Sequence, residues 1–213
     1  MQVGIIPVTA FQQNCSVIHC EKTNKAAVVD PGGDLELVLD YIRQEGIEVD
    51  KILLTHAHID HAGATLALAT ELKVPVIGPH REDQFLIDSL DEQGRMFGLG
   101  SAKPFTPDRW LDQGDTVEVG AEQFEVRHCP GHTPGHVVFY SAAHRFAIVG
   151  DVLFDGSIGR TDLPRGDHAT LLTSIRTQIL SLPDETTFLP GHGPTSTIGA
   201  QRRSNPFLRG LSG

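Results

Sequence analysis

The sequence predicts an α/β protein with β-sheets at its centre and helices on the outside. Short apolar segments with the composition of strands alternate with helical patterns in both halves of the chain. Glycine and proline end most of these segments, and side chains suited to metal binding follow directly after several of them. Such alternation is typical of layered folds in which helices cover sheets. Since the 213 residues show no repeat and no linker, a single domain over residues 1–213 is expected.

The N-terminal half contains five predicted strands and three predicted helices. Asp34 is placed to cap a helix that begins at Leu35 and ends at Gly46, because apolar residues recur there at helical spacing. Two further helices are expected over residues 62–72 and 81–94. The predicted strands are VGIIPV (3–8), CSVIHC (15–20), KAAVVD (25–30), KILLT (51–55) and PVIG (75–78).

The C-terminal half is richer in strands. Residues 94–107 lack a regular pattern and are expected to form a loop, and the residues after His192 form a polar tail. Apolar residues at helical spacing predict one helix around residues 171–179. The predicted strands are DTVEVG (115–120), QFEVRHC (123–129), HVVFY (136–140), RFAIVGD (145–151) and TTFLPG (186–191).

Composition and charge restrict the class of function. Acidic residues outnumber Lys and Arg by 27 to 17, and the net charge of −10 disfavours a nucleic-acid partner. No apolar run approaches the roughly 18 residues of a membrane span, and the N-terminus lacks the pattern of a signal peptide. Three cysteines without a CxxC pair favour a reducing compartment. We therefore expect a cytoplasmic protein with neither a membrane nor a nucleic-acid partner.

Histidines cluster directly after the predicted strand 51–55. The segment THAHIDH offers four potential ligands, His56, His58, Asp60 and His61. Because His56 and His58 are two residues apart, a helix could not place both on one face, which excludes the HExxH arrangement of zincins. In a turn all four side chains can converge, and three imidazoles with a carboxylate suit zinc, iron or a similar divalent ion.

Three further strand ends carry residues of the same chemical types. His132 lies in GHTPGH after the strand QFEVR, Asp151 follows RFAIVG, and His192 lies in PGHG after TTFL. Glycine adjoins each of them and lets the backbone approach closely. Four strand ends that carry ligand-type residues to one sheet edge would form a single metal site.

The motifs THxHxDH, GHTPGH, GD and PGHG together resemble those of the metallo-β-lactamase-fold hydrolases, and the resemblance extends over nearly the whole chain. Within that superfamily the chain looks most like the short glyoxalase II-type enzymes, which are hydroxyacylglutathione hydrolases, without a helical C-terminal domain. The resemblance implies an αββα sandwich with a metal site along one edge of the sheets.

The resemblance also implies a site for two divalent metal ions, with zinc expected and iron or manganese as alternatives. Each ion would have three ligands of its own, and one carboxylate would bridge the two. The ligands would be His56, His58 and His132 for the first ion, Asp60, His61 and His192 for the second, and Asp151 for both.

The implied reaction is the hydrolysis of a thioester, S-D-lactoylglutathione, to D-lactate and glutathione. A hydroxide that bridges the metals would attack the carbonyl carbon, and Asp60 would orient it. In the family, the loop after the bridging carboxylate carries a basic residue near the thiol-peptide substrate, so Arg160 in GSIGRTD is the candidate anion contact. The tail is too short for the helical domain that grips glutathione in the family. Arg202 and Arg203 in the tail could substitute for it, but the favoured interpretation is that they are a solvated basic pair.

Two other activities stay open. The histidine run and the GRTD sequence also resemble persulfide dioxygenases, in which one iron would use His56, His132 and Asp151. The PGHG motif argues against this reading, because His192 would be a ligand of a second ion. A lactonase of the same fold is the other alternative, since a cyclic ester presents a similar carbonyl group.

Two residues of the GHTPGH region have expected supporting roles. His136 is a candidate hydrogen-bond partner of the metal ligands. Cys129 has no evident base beside it and is expected to be a buried apolar residue.

Overall fold

Two β-sheets pack face to face, with helices on both outer sides, in the computed structural model, which describes residues 1–211. The strands are β1 (Gln2–Val8), β2 (Gln13–Cys20), β3 (Lys25–Val29), β4 (Glu48–Leu53), β5 (Val76–Ile77), β6 (Thr116–Val119), β7 (Glu122–His128), β8 (Val137–Ser141), β9 (Phe146–Gly150), β10 (Leu153–Phe154), β11 (Ser157–Ile158), β12 (Thr187–Pro190) and β13 (Ser196–Thr197). The α-helices are α1 (Leu35–Glu45), α2 (Ile59–Ala62), α3 (Thr65–Leu72), α4 (Gln84–Asp88), α5 (Leu90–Phe97), α6 (His168–Ser174) and α7 (Ile198–Ser204). Short 3-10 turns cover Arg81–Asp83 and Pro206–Leu208, and a π-helical turn over Ile175–Ile179 continues α6.

Both sheets are mixed. The first has the strand order β1-β2-β3-β4-β5, with β3, β4 and β5 parallel and the other pairs antiparallel. The second has the order β13-β12-β9-β8-β7-β6, in which β9 and β12 are parallel and the remaining pairs antiparallel. A separate hairpin is formed by β10 and β11. Parallel neighbours end at the same edge of a sheet, so the loops after β3 and β4, and those after β9 and β12, emerge side by side.

Three apolar layers hold the sheets and helices together. The middle layer lies between the sheets and includes Leu53 from the first sheet and Phe124 and Phe139 from the second. One outer layer packs the first sheet against α1, α3, α4 and α5, and the other packs the second sheet against α6, the π-helical turn and α7. Side chains alternate along β4, so Ile52 belongs to the outer layer and Leu53 to the middle one. The αββα sandwich is therefore confirmed.

The ten predicted strands are all confirmed, with ends that differ from the structure by three residues or fewer. The helix predicted over residues 62–72 is instead two helices, α2 and α3, separated at Gly63 and Ala64. At this break the Ala64 amide donates to Pro31 O at 3.0 Å. Gly32 packs against the Asp60 carbonyl so closely that a Cβ atom there would collide with it. Contact with the loop after β3 thus interrupts the helix.

The helix predicted over residues 81–94 is also divided, because α4 ends and α5 begins at Ser89. The Leu86 carbonyl at this break accepts hydrogen bonds from Ser89 Oγ at 3.1 Å and Gln93 Nε2 at 2.9 Å. α5 continues to Phe97 and ends at Gly98, whose φ of 69° is in the left-handed region. The predicted loop therefore starts four residues later than expected, at residue 98.

The residues expected to form only a polar tail contain β13 and α7. Thr197 caps α7 by accepting a hydrogen bond from the Ala200 amide at 3.2 Å. Gln201 donates to Asp155 Oδ1 at 2.6 Å, and Asn205 donates to Ser157 O at 3.0 Å. These contacts fasten the C-terminal helix to the β10–β11 hairpin, which the sequence analysis also missed.

Asp34 precedes α1 as predicted, but its side chain does not cap the helix. It has a φ of 46° and makes no capping hydrogen bond. Instead its Oδ2 atom accepts from the Thr9 amide at 2.7 Å. Asp34 therefore connects α1 to the turn after β1.

The α-helices are four to eleven residues long. Within residues 1–211, none has the length and apolar character needed to cross a membrane.

Removing a ring from the layer between the sheets should reduce stability strongly. Phe139 is fully buried there, and we expect Phe139→Ala to lower the free energy of unfolding by about 3–5 kcal/mol, because it leaves a cavity between two rigid sheets. Phe207, which is 47% exposed, provides the matched control, and Phe207→Ala should cost about 1 kcal/mol or less. Urea denaturation measures both changes. Equal effects of the two substitutions would contradict the assignment of Phe139 to the core.

Candidate metal centre

Four strand ends carry imidazole and carboxylate groups to one edge of the sandwich. The loops concerned follow β4, β7, β9 and β12. Four groups of three side chains among the described residues have donor atoms within 4.8 Å of one another, and two of these groups consist entirely of ligands predicted from the sequence. They are His56, His58 and His132 in the first group, and Asp60, His61 and His192 in the second.

The first group consists of three buried imidazoles. His58 Nδ1 lies 3.0 Å from His132 Nε2, and the His56 ring lies 4.9 Å and 5.0 Å from the His58 and His132 rings between centroids. His132 Nδ1 donates to Arg160 O at 2.7 Å, so the neutral ring has its lone pair on Nε2. Thr55 Oγ1 donates to Asp30 and therefore accepts from His56 Nδ1, at 3.0 Å. The lone pair of His56 is thus also on Nε2.

The second group combines two imidazoles with a carboxylate. His192 Nε2 lies 3.1 Å from Asp60 Oδ2, and His61 Nε2 lies 3.8 Å from the same oxygen. His192 Nδ1 donates to Phe11 O at 3.2 Å. His61 Nδ1 donates to Asp30 Oδ2 at 2.9 Å. In both rings Nε2 consequently faces carboxylate oxygens. Burial opposes protonation of the two imidazoles, but Asp151 and Asp60 outweigh it and raise the pKa of His61 and of His192.

Asp151 lies between the two groups. Its Oδ1 atom is 3.3 Å from His61 Nε2, and its Oδ2 atom is 3.7 Å from both His132 Nε2 and His192 Nε2. A Cβ atom on Gly191 would collide with Asp151 Oδ1 and with the His61 ring, so glycine is required at that position. Asp151 therefore contacts members of both groups, as a bridging ligand would.

The donor atoms of this centre fit a cation. Three of them are buried without a hydrogen-bond partner among the described residues: His56 Nε2, His61 Nε2 and Asp151 Oδ1. Each such atom would cost about 1–3 kcal/mol if left unsatisfied. Imidazole lone pairs that face carboxylates repel them unless a proton or a cation lies between. Nitrogen and carboxylate donors in this ratio are those that zinc and iron accept.

The electrostatics of the centre also favour a cation. Burial, together with nearby His132, lowers the pKa of His58 to about 3, so this imidazole is neutral at pH 7. Burial opposes ionisation of Asp151, but His61 at 3.3 Å outweighs it and holds the pKa of Asp151 far below its usual range. The pKa of Asp60 is lowered in the same way, mainly by His61 against the effect of burial. The carboxylates are thus ionised, as metal binding requires, and a bound cation would replace the protons that the raised pKa values favour on His61 and His192.

Sequence reasoning missed two buried carboxylates that position the ligands. Asp30 accepts from the Thr55 amide at 2.8 Å and from Thr55 Oγ1 at 2.6 Å, in addition to its bond with His61. Its position directly after β3 resembles that of Asp151 after β9, and this was an available signal. Asp83 accepts from the Ala57 amide at 3.1 Å, Thr133 Oγ1 at 2.9 Å and the Gly135 amide at 2.6 Å. It joins the two loops that carry the first group.

His136 and Cys129 have the surroundings that were expected of them. The Asp151 amide donates to His136 Nε2 at 3.0 Å, and the His136 ring stacks on His56 with 4.6 Å between centroids. Cys129 is fully buried, and burial raises the pKa of its thiol.

A cavity of about 590 Å³ opens in front of the centre. Its walls include the donor groups His58, Asp60 and Asp151 and the apolar side chains of Phe97 and Phe154. We call it the main cavity. A site of this size and composition suits a small organic molecule.

Arg160 lines the main cavity, but its side chain is engaged in an ion pair. Its guanidinium donates to both carboxylate oxygens of Asp162, at 2.7 Å each, and both side chains are exposed. Arg202 is held elsewhere, by Leu180 O at 2.8 Å and Asp184 Oδ1 at 3.0 Å, and neither it nor Arg203 lines the main cavity. Of the three arginines considered from the sequence, Arg160 is the one placed to meet a substrate.

Comparison with known proteins agrees with this fold and centre. Residues 8–192 match the family described as the Metallo-beta-lactamase superfamily. The chain is similar to hydroxyacylglutathione hydrolase GloC of Haemophilus influenzae, with 47% identity over 213 residues that cover all of both chains. Among solved structures it is similar to the B3 metallo-beta-lactamase BLEG-1, with 38% identity and a TM-score of 0.91 over 98% of this chain and 100% of that one. It is also similar to TTHA1623 in a di-iron-bound form, with 40% identity and a TM-score of 0.88 over 96% and 100%.

Removing the charge of Asp30 should weaken metal binding without removing a donor atom of the centre. We expect Asp30→Asn to lower the affinity for the bound metal about 10–100-fold, because His61 loses the carboxylate that orients it. Competition with a chelator measures this affinity. Asp88→Asn, on the exposed surface of α4, is the matched control and should leave the affinity unchanged. An unchanged affinity in Asp30→Asn would show that His61 does not depend on Asp30.

Proposed function

Because the chain belongs to the metallo-beta-lactamase superfamily, as a metal-dependent hydrolase, we propose that it hydrolyses thioesters and that S-D-lactoylglutathione is its substrate. The products would be D-lactate and glutathione. The observation that carries the proposal is the pair of adjacent donor groups with Asp151 between them. The similarity to a hydroxyacylglutathione hydrolase along the full chain supports the choice of substrate.

In this proposal two divalent ions occupy the centre, and zinc is the expected metal. The ligands would be His56, His58 and His132 for one ion, Asp60, His61 and His192 for the other, and Asp151 for both. Iron is the alternative, supported by the similarity to a protein solved in a di-iron-bound form. When bound, such ions lower the pKa of a coordinated water towards neutrality and polarise a carbonyl group.

The protein's own groups would orient the reactants. Asp60 is ionised and lines the main cavity, where its carboxylate can accept a hydrogen bond from the attacking water and direct the water's lone pair at the thioester carbon. Phe97, Phe154 and Leu163 form apolar walls that exclude bulk water from this region. No serine or cysteine nucleophile is required, since water itself is activated. Asp60 is therefore proposed as the catalytic residue.

Arg160 is proposed to bind a carboxylate of the glutathione moiety. Arg160 is the only Lys or Arg among the described residues that line the main cavity. Its partner Asp162 is exposed, and an exposed ion pair is weak, so the guanidinium can exchange one carboxylate for another. The substrate's thiol portion would then extend from the centre towards Arg160.

We also propose a cytoplasmic location for the reaction. Cys15, Cys20 and Cys129 are free thiols and buried, which is compatible with a reducing compartment.

Two other activities remain as alternatives that the same experiments distinguish. A persulfide dioxygenase with one iron would use His56, His132 and Asp151, and it would leave Asp60, His61 and His192 without a metal to bind. The complete second donor group disfavours it. A lactonase would use the same centre on a cyclic ester.

Loss of one first-group imidazole should abolish the reaction. The unmodified enzyme is loaded with metal to close to two ions per chain. Relative to it, we expect His58→Ala to lower kcat/KM for S-D-lactoylglutathione by more than about 100-fold. The reason is that loss of a residue that only supports a metal ligand already lowers metal affinity or activity about 10–100-fold. Metal analysis and hydrolysis are measured on the same sample. His144→Ala, which removes a surface histidine paired with Glu122, is the matched control and should keep both metal and activity.

Two results would contradict the proposal. About one iron per chain, no thioester hydrolysis and oxygen uptake with glutathione persulfide would establish the dioxygenase. Two ions per chain with lactone hydrolysis and no thioester hydrolysis would establish the lactonase.

Truncation of Arg160 should affect binding more than turnover. We expect Arg160→Ala to raise KM for S-D-lactoylglutathione about tenfold with little change in kcat, because the guanidinium lies away from the reacting bond. Arg176→Ala, an exposed arginine near the end of α6, serves as the matched control and should leave both constants unchanged. A fall in kcat without a change in KM would contradict the role given to Arg160.

A further inference from the structure

A second cavity of about 230 Å³ adjoins the main cavity, and we call it the side cavity. The two share the side chains of His58, Gln93, Phe97 and Leu163 as walls. The side cavity therefore opens beside His58, a member of the first donor group.

The position of the side cavity is fixed by buried hydrogen bonds. Gln93 Oε1 accepts from the Ile59 amide at 3.1 Å, next to His58, and Gln93 Nε2 donates to Leu86 O at 2.9 Å. These bonds connect the metal-binding loop to α4 and α5, which provide most of the walls. The cavity thus keeps a defined distance from the centre and does not depend on a mobile loop.

The side cavity is apolar and lacks a group that binds anions. Beyond the shared walls, its apolar surface comes from Phe85, Leu86, Met96 and Pro164. Glu92 also lines it, and none of the described lining residues is Lys or Arg. Arg165 lies against one wall, with its guanidinium 4.1 Å from the centre of the Phe85 ring, but it does not line the side cavity. A carboxylate would therefore meet Glu92 and no Lys or Arg among the lining residues, whereas the main cavity contains Arg160. The two carboxylates of glutathione therefore favour the side of Arg160, which leaves the side cavity for the acyl group.

We propose that the side cavity is an acyl-binding subsite for an apolar group about as large as a phenyl ring, an inference that rests on the proposed thioester hydrolysis. A cavity of about 150 Å³ lined by aliphatic and aromatic side chains can hold benzene. At about 230 Å³ the side cavity accommodates a phenyl group, and the methyl group of a lactoyl substrate would leave most of it unfilled. Filling it displaces water from apolar walls, so larger apolar acyl groups are preferred substrates.

The test compares two thioesters that differ only in this group. S-mandeloylglutathione carries a phenyl ring where S-lactoylglutathione carries a methyl group. We expect kcat/KM to be at least about tenfold higher for the mandeloyl substrate, since apolar pocket contacts discriminate by about that factor or more. Met96 lines the side cavity but not the main cavity and is 70% exposed, so Met96→Glu can introduce a charge without disturbing the core. Leu37→Glu, at an exposed apolar residue of α1, is the matched control.

The expected result is that Met96→Glu lowers the ratio of kcat/KM for mandeloyl to kcat/KM for lactoyl about tenfold or more, and that Leu37→Glu leaves this ratio unchanged. An equal or lower kcat/KM for mandeloyl in the unmodified enzyme would overturn the subsite and leave thioester hydrolysis intact. A preference that persists in Met96→Glu would place the phenyl group elsewhere and also overturn it. If the metal-loaded enzyme hydrolyses neither thioester, the proposed function itself fails.

Discussion

Asp151 is an ionised carboxylate buried among imidazoles, and the surrounding structure is arranged around it. A buried negative charge is costly unless cations or hydrogen-bond donors surround it. Here His61, His132 and His192 approach it from three different segments of the chain. The approach is possible because Gly191 has no side chain and because Gly150 adopts a φ of 48° as β9 ends. A metal bound here would take over the role of the imidazole protons that stabilise this charge.

Both sheets contribute donor groups to this centre, and hydrogen bonds between the sheets keep their edges aligned. Asn14 in the first sheet donates to Pro190 O at 3.0 Å and Gly193 O at 2.9 Å, on either side of His192. The Val137 amide in the second sheet donates to Thr55 O at 2.8 Å, next to His56. Asp83 adds a third connection between the loops. The apolar layer between the sheets lies behind the centre, and these polar connections lie beside it. Together they hold donor groups from distant segments of the chain close to one another, as the fixed geometry of a functional site requires.

Much of the fold and centre was predictable because two simple signals coincide. Apolar segments bounded by glycine and proline mark the strands, and imidazoles or carboxylates beside glycine mark the strand ends that meet. Other features left weaker signals. Asp83 lies in a segment with a helical pattern, so nothing in its neighbourhood distinguishes it from a surface carboxylate. The helix α7 was missed because it is held largely by polar contacts of Gln201 and Asn205, which have no periodicity to detect. The division of α4 from α5, on which the side cavity depends, is accompanied by side-chain hydrogen bonds from Ser89 and Gln93 to the Leu86 carbonyl, which a hydrophobic pattern does not reveal.

The attachment of α7 to the β10–β11 hairpin links the substrate cavity to the folding of the C-terminal segment. Phe154, Ser157 and Ile158 of the hairpin line the main cavity, and the helix that fastens them is only seven residues long. A helix this short has little stability of its own and depends on its tertiary contacts. The hairpin and the helix should consequently open and close as one cooperative unit, less stable than the sheets behind them. One wall of the cavity thus belongs to this less stable unit, while the donor groups opposite follow directly after strands of the two packed sheets.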